Sequence, residues 1–135
     1  MFGKTHSKPQ TQIDSLIGVN ATIGGDINFS GGLRVDGNVN GNVVATPGKP
    51  STLVLSEHAR INGEVSVTHL VTNGTINGSV SVTEYLELQG KAKVTGDIYY
   101  KTMQIQLGAI VEGRLIHGNQ EAADKVVAFK SGSAE

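Results

Sequence analysis

Ile61-Asn62-Gly63-Glu64-Val65 is followed, fifteen residues further on, by Ile76-Asn77-Gly78-Ser79-Val80. The same (Ile/Val)-x-Gly-x-(Val/Ile/Leu) pattern recurs at residues 23–27, 39–43, 94–98 and 111–115, giving six copies in 135 residues. Successive glycines lie 16, 22, 15, 18 and 17 residues apart. A unit of this size copied along a chain is one supersecondary element, and the apolar face of each copy is buried by the next. The pattern predicts a solenoid.

Further columns line up on the glycine. Four residues earlier stands a small residue: Ala21, Gly37, Ala59, Gly74, Ala92 and Ala109. Eight residues earlier stands an apolar one: Ile17, Leu33, Leu55, Leu70, Leu88 and Ile105. Four residues later come Phe29, Ala45, Val67, Val82 and Tyr100, and His117 breaks the column in the last copy. Apolar positions alternate with polar ones at a period of two, so the segments are strands with one face inward. A copy is too short for strand, helix and strand but holds three short strands of roughly five residues each. Coiling such a strip stacks like residues at about 4.8 Å, with each winding bonded to the ones above and below. The small and glycine columns suit corners, where a bulky side chain would clash or φ must be positive. The expected fold is all-β: a single-stranded parallel β-helix of about six windings, roughly 30 Å long.

Composition fits one such rod. A chain of 135 residues favours one domain. Absence of cysteine removes disulfides and thiolate metal sites and agrees with a reducing compartment. A net charge of −1 gives no footprint for nucleic acid. The sequons at Asn20, Asn28, Asn73 and Asn77 read as turn chemistry in an Asn/Gly/Thr-rich repeat. Three segments fall outside the repeat. Residues 1–13 read as a flexible polar and basic arm without the apolar region of a signal peptide. No stretch is long and apolar enough to span a bilayer. Residues 46–51 read as a surface loop that accounts for the 22-residue spacing. Residues 118–135 form a tail, disordered at its end, whose Val126-Val127-Ala128-Phe129 patch could cap the rod or meet a partner. The core is expected over residues 14–117.

Chemistry is sparse. Gly48-Lys49 lacks the spacing of a phosphate loop, and Pro50 follows it, so it reads as a turn. His6, His58, His69 and His117 share no metal-ligand spacing and read as solvated or edge histidines. The residues after each glycine, Asp26, Asn42, Glu64, Ser79, Asp97 and Arg114, form a mixed polar ladder. Within it Ser79 keeps Glu64 and Asp97 two windings apart, roughly 10 Å, so they make no catalytic pair. No Ser-His-Asp or Cys-His constellation is visible, and neither an enzyme activity nor a cofactor is expected. Hexapeptide-repeat acyltransferases, which build left-handed β-helices, are the main rival. Six-residue spacing does occur at Leu55, Ile61 and Val67 and at Leu88, Val94 and Tyr100. Winding lengths that wander between 15 and 22 residues, and the lack of a recognisable catalytic histidine, argue against them.

What remains are the ends. The last rung of a β-helix exposes a row of unpaired N–H and C=O groups, the edge-strand liability concentrated on one surface. Neither end of this repeat carries a strong capping signal. The first winding offers Leu16, Ile17, Val19 and Ile23, and the last offers Ile105, Leu107, Ile110, Val111, Leu115 and Ile116. Ile110 and Ile116 fall where alternation points outward and where the previous winding carries Lys93 and Tyr99. Apolar, uncapped ends favour stacking of rods into a filament, with no nucleotide site needed.

The six glycine copies, the flanking tails and the Met1-Phe2-Gly3-Lys4 start together resemble the bactofilins, a polymer-forming family of the bacterial cytoskeleton. The resemblance covers residues 14–117 and the N-terminal motif. It implies a right-handed helix that polymerises without nucleotide into non-polar filaments through its terminal windings. It also implies a scaffold at the inner face of the cytoplasmic membrane that localises cell-wall enzymes or shape and polarity factors. The family's membrane-targeting segment falls on Met1, Phe2 and Lys4, with Lys8 as a further cation. A monomeric adaptor whose tails fold over its ends is the remaining alternative.

Overall fold

The computed structural model describes residues 12–118. Among these residues there is no helix, and sixteen strands wind into a parallel β-solenoid. The first winding is β1 (Ser15–Ile17), β2 (Thr22–Gly24) and β3 (Ile27–Phe29). The second is β4 (Gly31–Val35), β5 (Asn38–Asn40) and β6 (Val43–Ala45). β7 (Ser51–Leu55) and β8 (Arg60–Asn62) open the third, which β9 (Val65–Thr72) closes before turning into the fourth without a break. β10 (Thr75–Asn77) and β11 (Val80–Leu88) repeat that arrangement into the fifth winding, completed by β12 (Lys93–Thr95) and β13 (Ile98–Tyr100). β14 (Thr102–Ile105), β15 (Ile110–Glu112) and β16 (Leu115–His117) make the sixth.

Three faces result. β2, β5, β8, β10, β12 and β15 form one six-stranded sheet. The other two faces form one ten-stranded sheet because β9 and β11 run round the corner between them. Every strand pairing is parallel, so each inward residue stands on its counterpart one winding below. Ile23, Val39, Ile61, Ile76, Val94 and Val111 make one such column, and its four middle members are fully buried. Ile27, Val43, Val65, Val80, Ile98 and Leu115 make another. Each buried Val, Ile or Leu contributes about 1.5–3 kcal/mol by leaving water, so the stacked columns hold the rod together.

The repeating glycine is a steric requirement. A Cβ on Gly63 would lie 2.1 Å from the Gly41 carbonyl oxygen, one on Gly78 2.2 Å from that of Gly63, and one on Gly113 2.1 Å from that of Gly96. At this corner each backbone occupies the space that a side chain of the next winding would need. The reach of the chain past that corner is then closed by hydrogen bonds such as Gly63 N–H to Asn77 O, 3.1 Å, and Gly78 N–H to Thr95 O, 2.9 Å.

Register corrects the column read eight residues before the glycine. Ile17 pairs with Val35 rather than Leu33, and Leu55 with Thr72 rather than Leu70. Leu33 and Leu70 instead belong to a neighbouring inward column with Leu53 and Leu86. The reason is corner length. Between the first two faces, windings one, three, five and six carry four corner residues, whereas windings two and four carry two, Asp36-Gly37 and Asn73-Gly74. A difference of two preserves which face every side chain points to, so alternation alone cannot see it. Thr72, the polar intruder in the inward column, is satisfied because its Oγ1 accepts the Gly74 N–H at 3.0 Å. The loop expected over residues 46–51 ends one residue sooner, since Ser51 starts β7 and is buried.

His69 is likewise not a solvated or edge residue: it is 5% exposed. It sits where β9 rounds its corner, paired with Thr52 below and Tyr85 above, and its Nδ1 lies 3.3 Å from the Ser51 carbonyl oxygen. At that corner β11 needs two residues, Thr83 and Glu84, where β9 needs only Thr68, and the register shifts between Val82 and Tyr85.

Candidate assembly surfaces at the two open ends

The polar ladder beside the glycines behaves as its sequence suggests. Asp26 Oδ1 accepts the Asn42 N–H at 2.9 Å, and Asn42 Oδ1 accepts the Glu64 N–H at 2.9 Å. Asp97 Oδ1 accepts the Arg114 N–H at 3.0 Å. One residue before the glycines, Asn40, Asn62 and Asn77 form an amide ladder with Nδ2–Oδ1 distances of 2.8 Å. These side chains bind winding to winding. Among the described residues no group of three or more His, Cys, Asp or Glu could hold a metal ion. No helix is long and apolar enough to cross a membrane among them.

Among the described residues, the strands with a neighbour on one side only lie at the two ends. β1, β2 and β3 pair only with the second winding, and β14, β15 and β16 only with the fifth, so no described strand covers their outer edges. The exposed large apolar residues of the described chain gather on these same two windings. Ile17 and Ile23 are half-buried members of the first inward rung. Leu16 points outward, paired with Arg34, and is exposed; Val19 stands on the first long corner, exposed. At the far end Val111 is half-buried, while Ile105 and Leu115 face inward and stay partly exposed for want of a further winding. Ile110 and Ile116 point outward, in register with Lys93 and Tyr99. Leu107 sits at the tip of the last long corner, 99% exposed.

Charges near the last winding are tied back to the winding beneath. Arg114 Nη2 lies 2.9 Å from Asp97 Oδ2, and this hydrogen bond, with the Arg114 N–H, holds the Asp97 carboxyl below its usual range. Lys101 Nζ lies 3.6 Å from Glu84 Oε1. At the first winding Asp14 is engaged in the same sense, its Oδ2 accepting the Gly32 N–H at 2.9 Å. Four end residues were not among those expected at the joints. Ile13 is exposed just before β1, Ile27 and Met103 complete the inward rungs, and His117 stands on Tyr100 with ring centroids 5.5 Å apart. The last had a signal: it was the residue that broke an otherwise apolar column.

Met1, Phe2, Lys4, Lys8, His6 and the patch Val126-Val127-Ala128-Phe129 lie outside the described residues.

Among the described residues, the fold is a parallel β-solenoid with no strand beyond either terminal winding. Within that class the family is specific: a family model described as Bactofilin, polymer-forming cytoskeletal, matches residues 15–116. The chain belongs to the bactofilin family. Comparison with curated proteins and with solved structures gave no match.

Proposed function

We propose that this protein is a cytoskeletal scaffold whose solenoids stack end on end into filaments without nucleotide. Membership of a polymer-forming family supports self-association in general. The observation that carries the particular mode is the coincidence, on both terminal windings, of unpaired strand edges with exposed apolar side chains: Leu16 and Val19 at one end, Ile105, Leu107, Ile110 and Leu115 at the other. A docked rod supplies both needs at once, continuing the backbone ladder and covering the rung. Ile17, Ile23, Val111 and Ile116 contribute the inner and flanking parts of the same joints.

Residues 14–117 act as the polymerising core, and residues 1–13 as a membrane-binding arm at the cytoplasmic face. Met1 and Phe2 insert at the interface while Lys4 and Lys8 each add about 1 kcal/mol of attraction to anionic lipid. One arm binds weakly; many arms on one filament bind together, because each later contact is intramolecular. The attached filament then gathers cell-wall or polarity proteins. Negative-stain electron microscopy of the purified full chain without nucleotide is the test. Filaments one rod wide are expected, and compact single particles at high concentration would defeat the reading.

A further inference from the structure

The inward rung at the last winding consists of Met103, Ile105, Val111 and Leu115, and it is completed by an imidazole. His117 stacks in register on Tyr100, at the repeat offset that earlier windings fill with the registered pair Phe29 and Ala45 and with the buried, registered pair Val67 and Val82. Its ring is tilted 58° to that of Tyr100, and its Nε2 lies 3.0 Å from the Lys101 carbonyl oxygen. Here, at the open end, the ring remains exposed to water. The opposite inward rung, Ser15, Ile17, Ile23, Ile27 and Phe29, contains no ionisable side chain.

We infer that His117 makes the joint at this end pH-sensitive, assembly requiring the neutral imidazole and acid opposing it. The inference rests on the end-stacking reading above. A second copy of the chain seated on the last winding removes water from the rung. A neutral ring enters such a space with its hydrogen bond to Lys101 intact, whereas an imidazolium enters as a charge with no counter-charge among the described residues, which is costly. Histidine is the side chain type that changes charge near neutral pH.

Among the described residues, the groups on the elements packed against His117 do not supply a counter-charge. β13 presents Tyr99 and Tyr100. The Lys101 ammonium faces Glu84, and Arg114, next to β16, faces Asp97, so both carboxylates are taken by cations. Glu112 on β15 lies within 3.5 Å of the Thr95 hydroxyl, on the outward side of a different face. At the other end Asp14 is held by the Gly32 N–H.

The test is sedimentation of the full chain at about pH 8 and about pH 5.5, with circular dichroism at both to show that the solenoid persists. The wild type should need on the order of tenfold more protein to form filaments at the lower pH. His117→Phe, which keeps the aromatic stack, and His117→Gln, which keeps a polar contact, should assemble with less than about a twofold difference. The same pH response in both variants would overturn the role of His117, and so would acid strengthening wild-type assembly, the sign of a carboxylate meeting His117 across the joint. Absence of filaments in every sample at the higher pH would instead bring down the end-stacking reading beneath it.

Discussion

The Lys91 ammonium lies 2.7 Å from the Glu57 carboxylate, although 34 positions and two windings separate them. They meet because the corner between them is the short Asn73-Gly74, so the long corners of windings three and five lean together across it. Asn73 Oδ1 fills the gap by accepting the Lys91 N–H at 2.7 Å.

This pair is exposed, so its contribution is small and screened by salt. The Glu57 carboxyl is held below its usual value by the Lys91 hydrogen bond and charge, and Lys91 is raised by the same contacts. The stabilisation is therefore present above the ordinary carboxylate value and lost as pH falls through the lowered Glu57 value. On the alkaline side it is present below the ordinary lysine value and lost as pH rises through the raised Lys91 value. Glu57→Gln should lower the urea midpoint slightly, by a constant amount from about pH 6 to about pH 9, and the difference should shrink in high salt.

The glycine column separates two substitutions that look alike in sequence. Gly63→Ala places a Cβ 2.1 Å from a backbone oxygen that cannot move without shifting a winding, and should cost about 3 kcal/mol or more. Gly24→Ala meets nothing within 4 Å, and should be neutral or stabilise by about 0.5 kcal/mol. Urea denaturation of the two variants checks the contrast, and equal effects would contradict it.

Acid should loosen the last winding before the middle ones. The Arg114 N–H is held by the Asp97 carboxylate, whose depressed value means that the bond is intact above the ordinary aspartate value and lost as pH falls through the lowered one. The Glu64 N–H is held by a neutral amide, Asn42 Oδ1, which does not titrate. Hydrogen exchange, corrected for intrinsic rate, should show protection at Arg114 falling in acid relative to that at Glu64.

Leu107 and Ile76 should divide assembly from folding. Leu107→Asp changes a side chain that is 99% exposed, so the melting temperature should hold while filaments fail. Ile76→Ala empties a fully buried position and should cost about 2–5 kcal/mol. Filaments of unchanged number from Leu107→Asp would exclude that corner from the joint.

On the proposed membrane contact, Phe2→Glu replaces an apolar ring by a charge that anionic lipid repels. Filaments should form as before yet float free of anionic liposomes in a flotation assay; undiminished binding would reassign the membrane contact.

Much of this was legible in the chain. Six glycines with flanking aliphatics revealed the number of windings and which side chains beside each glycine face inward. The polar ladder was visible too, because residues at one offset from a repeated glycine must stack. Less legible was anything that depends on how long a corner is. Moving Leu33 and Leu70 by two positions leaves their inward orientation unchanged, so no periodicity distinguishes the two columns.

Sequence by itself thus determined the solenoid, because a strand's alternation and a glycine's missing side chain are local properties that repeat wherever they are written. Tertiary structure alone decided which distant residues became neighbours. It joined Glu57 to Lys91 over a short corner, closed the Ser51 and Thr52 corner around His69, and set His117 on Tyr100 at an open rung. Those meetings depend on the summed lengths of the corners between them, a property of the whole coil that no single repeat contains.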